Sequence, residues 1–200
     1  SGARELGFED IPSLMDEYNE LENIFFGKIK IDNPAKETKM KGLYEYVNLL
    51  NTPKTLTPYV SYRLLIELSR IFKEKRTDLV MKKLIDYGVL KNSEPQIEDL
   101  ITMAGNYADD FDLQEKVDVQ IDEATKKALG ELADLLGADD EPDDLQNTIY
   151  QIAKKNNVQP KDFFKILYQI ILSTNRGPKI GPFILDIGRK KVSQTLASYL

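Results

Sequence analysis

Apolar residues recur every three or four positions along almost the whole chain, and this helical period is what most narrows its possible folds. Leu14, Tyr18, Leu21 and Phe25 share one face, with Pro12 near the start and Gly27 where a left-handed terminating residue belongs. Thr57-Pro58 offers an N-cap with proline at the first helical position, and Val60, Leu64, Leu68, Ile71 and Phe72 make the next stripe. A shorter helix is predicted from Thr77 to Tyr87, closed by Gly88. Ser93 and Gln96 have capping-box spacing ahead of Ile97, Leu100, Ile101, Ala104 and Ala108. Asp122 opens a helix through Leu129, Leu132 and Leu136 to Gly137. Leu145, Ile149, Ile152 and Ala153 form another, ending at Asn156-Asn157, and Pro160 starts one whose inner face is Phe163, Phe164, Leu167, Ile170 and Ile171. Two short helices finish the chain, carrying Ile180, Phe183, Ile184 and Ile187, then Val192, Leu196 and Tyr199. Only Tyr46 to Leu50 and Val117 to Ile121 read as extended candidates, the second by its alternation of apolar and polar residues. With no strand-helix alternation and no internal repeat, the expected fold is an all-α helical bundle.

Charge is laid out in blocks. Ser1 to Gly27 carries one basic and seven acidic residues, and Lys28 to Lys91 carries fourteen basic and seven acidic. Ser93 to Asp144 has three basic and seventeen acidic residues, and Leu145 to Leu200 nine basic and two acidic. A net charge of −6 therefore conceals two basic segments that suit phosphate contacts, or that simply pair with the acidic ones. Ala138 to Asp144, rich in acids and holding Pro142, reads as an exposed linker. The helices group into two parts, 1–115 and 116–200, with the boundary near Glu115.

The chain has no His and no Cys, which excludes the usual zinc sites, disulfides, thiol nucleophiles and histidine acid-base chemistry. Its glycines are scattered and form no phosphate-cradling loop. The pairs Asp109-Asp110, Asp139-Asp140 and Asp143-Asp144 lack the apolar setting that raises a carboxyl pKa, so a carboxylate hydrolase is disfavoured. Phe163 to Leu172 is the most apolar stretch and is interrupted by Lys165 and Gln169, so no membrane span is expected. Ser1-Gly2-Ala3 does not begin a signal peptide, and the lack of cysteine suits a reducing cytoplasm.

One segment is chemically suggestive. Ser173 to Phe183 is a polar loop punctuated by Gly177, Pro178, Gly181 and Pro182, joining two apolar helices. The prolines fix φ and the glycines permit close approach of a backbone or ligand. The preceding helix places Lys161, Lys165, Tyr168 and Leu172 along one outward strip that leads to Arg176 and Lys179. Cations for phosphates and an aromatic ring for a base suit single-stranded RNA; a stiff hairpin with a solvated basic face has the same pattern.

The run Ile149 to Lys155, then Phe163 to Tyr168, Arg176-Gly177-Pro178-Lys179-Ile180 with Phe183, and Val192 to Leu196 resembles the C-terminal end of class I lysyl-tRNA synthetases of the archaeal and bacterial type. Looser matches lie upstream in order, at Tyr18 to Lys28 and Pro58 to Phe72. The resemblance implies a C-terminal α-helix-cage domain that binds the lysine tRNA anticodon loop, within a cytoplasmic enzyme that attaches lysine to tRNA. It implies ATP and magnesium at a catalytic core of the same polypeptide. That core's His-Ile-Gly-His motif is impossible in a chain without histidine, and nothing here looks like Lys-Met-Ser-Lys-Ser, so this segment is expected to bring no catalytic residues, cofactor or metal of its own. Related glutamyl enzymes contact the anticodon with a Thr-Pro-x-Leu loop; here Gly177-Pro178-Lys179-Ile180 has glycine in place of the threonine.

The RNA-binding set implied is Lys161, Lys165, Tyr168, Gln169, Arg176, Gly177, Pro178, Lys179 and Ile180. Arg63, Arg70, Lys73, Lys75, Arg76, Lys82 and Lys83 are expected either to contact phosphates or to dock the catalytic core. The alternative is a helical protein-interaction module without a nucleic-acid role, working through its acidic block.

Overall fold

The computed structural model describes residues 6–111, 118–139 and 142–200, and among these it is all-α: ten α-helices, one short 3-10 turn at Phe8–Asp10 and no strand. Contacts divide the chain into two compact units, Ser1–Tyr62 and Arg63–Leu200. The boundary expected near Glu115 lies outside the described residues, as does Val117 of the second strand candidate; Asp118 to Ile121 has no regular structure.

In the first unit α1 (Ile11–Phe25) packs on α2 (Pro34–Val47). Asn33 caps α2 by accepting from the Lys36 N–H at 3.1 Å, with Pro34 at the first helical position. The fully buried Tyr44 ring lies 4.8 Å from Phe25 and 5.5 Å from Tyr18. Its hydroxyl donates to the buried Glu22 carboxylate at 3.0 Å, which also accepts from the Thr57 hydroxyl at 3.0 Å. Burial above all pushes the Tyr44 phenol above its ordinary range, so it stays a donor.

Two expectations fail here for physical reasons. Tyr46 and Val47 end α2 instead of starting a strand, and Leu49 and Leu50 turn the chain in left-handed conformations with φ 51° and 61°. Thr57 does not cap a helix; its hydroxyl satisfies Glu22, and α3 begins only at Tyr62.

In the second unit α3 (Tyr62–Ile71) buries Leu64, Leu65, Ile66 and Leu68, so it is apolar around most of its girth. The adjoining α4 (Arg76–Asp86) packs on α5 (Pro95–Asp110). The Ser93 capping box is not formed: Glu94 is the N-cap without a side-chain bond, and Ser93 instead donates to Glu98 at 3.3 Å. Gly88 closes α4 at φ 73°, as its position implied.

The remaining five helices are α6 (Glu123–Gly137), α7 (Leu145–Lys155), α8 (Pro160–Leu172), α9 (Ile180–Ile187) and α10 (Arg189–Ala197). Asp122 and Asp144 cap α6 and α7, accepting from Thr125 N–H at 2.8 Å and Asn147 N–H at 3.0 Å. α10 lies along α6, where Ser193 donates to the Ala133 carbonyl at 2.7 Å and Arg189 to the Leu135 and Ala138 carbonyls at 3.0 Å. Of these, the Leu135 carbonyl belongs to the last turn of α6, whose carbonyls lack onward helical partners, and Ala138 is the residue that caps it. Phe163, Leu167, Ile180, Phe183 and Ile184 are buried close to completely, which leaves α8 and α9 little freedom to shift.

Candidate nucleic-acid interface

The loop between α8 and α9 takes its shape from both flanking helices. Ser173 ends α8 in a left-handed conformation at φ 53°, which turns the chain sharply out of the helix axis. Three side-chain bonds then fix the descent: Gln169 Nε2 donates to Asn175 Oδ1 at 2.8 Å, the Thr174 hydroxyl to the Arg176 carbonyl at 2.7 Å, and the Tyr168 hydroxyl to the Pro178 carbonyl at 2.6 Å. At its far end, the Gly181 N–H donates to Gln146 Oε1 of α7 at 2.9 Å.

The two glycines earlier assigned to close approach both serve it. A Cβ on Gly177 would sit 2.8 Å and 2.9 Å from the Tyr168 ring carbons and 3.0 Å from Leu172 Cδ1. A Cβ on Gly181 would meet the Gln146 backbone nitrogen at 2.7 Å. Threonine at 177, as in the glutamyl loop, is incompatible with this placement of the ring. Pro178 and Ile180 are buried and hold the loop down onto the helices.

The sequence-derived site residues divide into two groups. Lys161, Lys165, Arg176 and Lys179 are exposed around the loop, with exposed Gly177 between the last two. Tyr168, Gln169, Pro178 and Ile180 face inward wholly or in part and build the loop's support. The expected outward strip therefore stops at Lys165: Leu172 is buried, and Tyr168 lies partly under Gly177. Burial raises the Tyr168 phenol above its ordinary range, so its hydroxyl keeps its proton and donates throughout the working pH range.

Two residues that sequence reasoning did not assign complete the arrangement. Gln146 lies 35 positions from Gly181, and no local pattern signals the pairing. Asn175 holds Gln169 through its carbonyl oxygen, which leaves its exposed amide NH2 and the Gln169 carbonyl oxygen for other partners.

Lys161, Lys165 and Lys179 form no ion pair with any described residue. By contrast, several cations of the earlier basic segment are engaged within the protein. Arg76 makes a two-pronged bond with Asp109, at 2.8 Å and 2.7 Å, and this partner holds the Asp109 carboxyl below its usual range. Lys83 reaches both oxygens of Asp186 in α9 at 2.7 Å and 2.8 Å, and Arg70 binds Glu67 and the Phe111 carbonyl. Lys73, Lys75 and Lys82 are exposed. Among the described residues no group of three or more Asp, Glu, His or Cys side chains is placed to hold a metal ion, and no helix is long and apolar enough to cross a membrane.

No family model matches the chain. Curated proteins do. A lysine–tRNA ligase of Cenarchaeum symbiosum is 54% identical over 193 residues, covering 96% of this chain and 37% of its own length. Lysine–tRNA ligases of Borreliella burgdorferi and Thermococcus kodakarensis are 28% and 29% identical, covering 96% and 92% of this chain and 38% of their own lengths. The chain thus spans little more than a third of the relatives it matches.

Proposed function

The chain is homologous to one segment of the lysine–tRNA ligases, and from that premise we propose that it is the tRNA-binding, anticodon-reading part of such an enzyme. Attachment of lysine, with its ATP and magnesium, belongs on this reading to the larger portion of the cytoplasmic enzyme that the chain does not span, and the partner that portion shares with this one is lysine tRNA.

One observation carries the anticodon assignment: a loop held in a single shape by Tyr168, Gln169 and Gln146, bordered by the exposed, unpaired cations Lys161, Lys165 and Lys179. A preshaped loop lowers the ordering cost of binding. Lysine anticodons contain adjacent uridines, and each uracil edge offers two carbonyl acceptors and one N–H donor. Donors at Arg176, the Asn175 amide and the loop backbone match the first, and the free Gln169 carbonyl oxygen matches the second. The lysines supply phosphate contacts that are indifferent to base identity.

The test is a fluorescence anisotropy titration against lysine tRNA and a tRNA with its anticodon uridines replaced, at two salt concentrations. Tighter binding of the native anticodon, weakening steeply with salt, is the expected result. Equal and feeble binding of both overturns it.

A protein-interaction role has its own observation, in the first unit. Tyr46, Leu49 and Leu50 are 74%, 86% and 81% exposed, with Leu43 and Val47 nearly half exposed beside them in sequence. That reading predicts no preference between the two tRNAs.

A further inference from the structure

The exposed members of the loop region have an obvious use in RNA binding; Tyr168 does not. Its ring is covered by Gly177 so closely that a single added carbon would fall within 2.9 Å of it, which denies that side to a stacking base. Its hydroxyl is committed to the Pro178 carbonyl at 2.6 Å. That bond fixes the orientation of one peptide unit. The chain has no cis peptide among its described residues, and in a trans peptide the N–H lies opposite the carbonyl. With the Pro178 carbonyl drawn in toward Tyr168, the Lys179 N–H is turned away from it, on the side where the Lys179 side chain is exposed.

Resting on the anticodon reading, we propose that Tyr168 is a positioning residue: its hydroxyl, and not its ring, sets the Arg176 to Lys179 backbone so that this segment presents donors to acceptor oxygens of the RNA. Gly177 is the matching half of the device. It is small enough to let the loop lie against the ring, so a side chain at 177 and loss of the hydroxyl at 168 disturb the same geometry from opposite sides. The second latch, Gln146 on the Gly181 N–H, fixes the loop where it enters α9 and makes the Tyr168 bond the inner of two anchors. The acceptor oxygen has two sources, a uracil carbonyl or a phosphate, and these differ in whether base replacement removes them.

The variants are Tyr168→Phe and Tyr168→Ala, titrated with native and uridine-replaced lysine tRNA beside the parent chain. Phe keeps the ring and any stacking, so a stacking residue would bind normally as Phe and weakly as Ala. The positioning role expects Phe already to lose affinity by about three- to tenfold, the worth of one hydrogen bond, and Ala, which also removes the ring under Gly177, at least as much. If the acceptor is a uracil carbonyl, the loss falls on native tRNA and the preference over the replaced tRNA shrinks; if it is a phosphate, both tRNAs lose equally. In either case the backbone 15N order parameters of the free Phe variant fall at Asn175, Arg176, Gly177 and Lys179 while those of α7 and α10 hold. A Tyr168→Phe variant that matches the parent in affinity, preference and loop order parameters overturns this inference alone. A parent chain that prefers neither tRNA overturns the anticodon reading and this inference with it.

Discussion

The segments around α3 and α4 and around α7 to α10 look alike when their charges are counted, each carrying an excess of lysine and arginine, yet the structure uses them differently. In the earlier segment Arg70, Arg76 and Lys83 close contacts within the protein, to Glu67, Asp109 and Asp186. In the later one, Lys155 and Arg189 are similarly engaged, by Glu131 and by α6 carbonyls, but Lys161, Lys165 and Lys179 stand clear around a rigid loop. Lys73, Lys75 and Lys82 of the earlier segment are exposed as well, so what sets the later one apart is that its open lysines border a loop braced by Tyr168 and Gln169, and net charge reports neither feature.

Four outcomes would sharpen or break the contrast. The largest effect is expected at Asp186, where alanine leaves both Lys83 and the Tyr87 hydroxyl without their acceptor in a partly buried setting. Urea unfolding should show a loss of about 2–3 kcal/mol, with tRNA affinity of the folded protein unchanged; a loss of affinity with stability intact would erase the contrast.

The triple change Lys161→Ala, Lys165→Ala and Lys179→Ala should do the reverse. Its unfolding midpoint stays within about 0.5 kcal/mol of the parent, while tRNA affinity falls at least about tenfold at low salt and the log-log salt slope flattens by about 2. Third, Arg76→Ala should lower the urea midpoint by less than the Asp186 change does, because its Asp109 partner is open to solvent, and leave the salt slope as it was.

The smallest and broadest effect is on pH. The Asp122 carboxyl is held below its usual range chiefly by its bonds from Thr125, Glu131 by its bonds from Lys155 and then Asn156, and Asp109 by Arg76. Each takes up a proton less readily folded than unfolded. Their contribution is therefore complete above the unfolded carboxyl range of roughly pH 4 and is lost as pH falls through the folded values. Thermal melts from pH 6 downward should decline through that window, and Arg76→Ala should flatten part of the decline.

The helical stripes made most of this fold legible in advance, because eight of the helices bury a face that recurs at helical spacing. α2 escaped notice: Tyr44 is its one buried residue, and its apolar positions Leu43, Tyr46 and Val47 are exposed, so its stripe is faint. Asn33-Pro34 was the usable signal there, and the strand candidate Tyr46 to Leu50 spans the end of α2 and the left-handed turn at Leu49 and Leu50 that follows it. The Thr57 and Ser93 caps were misread because a hydroxyl answers to whatever acceptor the tertiary fold brings near, Glu22 in one case and Glu98 in the other. At the loop, exposure of the lysines and close approach at the glycines followed from local pattern. The inward role of Tyr168 and the reach of Gln146 to Gly181 depend on contacts across helices, which spacing along one helix does not encode.

The measurement that bears most directly on the contrast is residue-resolved: an amide chemical-shift titration of the isotopically labelled chain with a lysine anticodon stem-loop. The structure leads to shifts concentrated at Lys161, Lys165 and the 173–181 loop, with Arg63 to Lys91 silent. Shifts centred on Arg63 to Lys91, or none at the loop when the stem-loop is saturating, would contradict the claim that the later basic segment is the one that meets RNA.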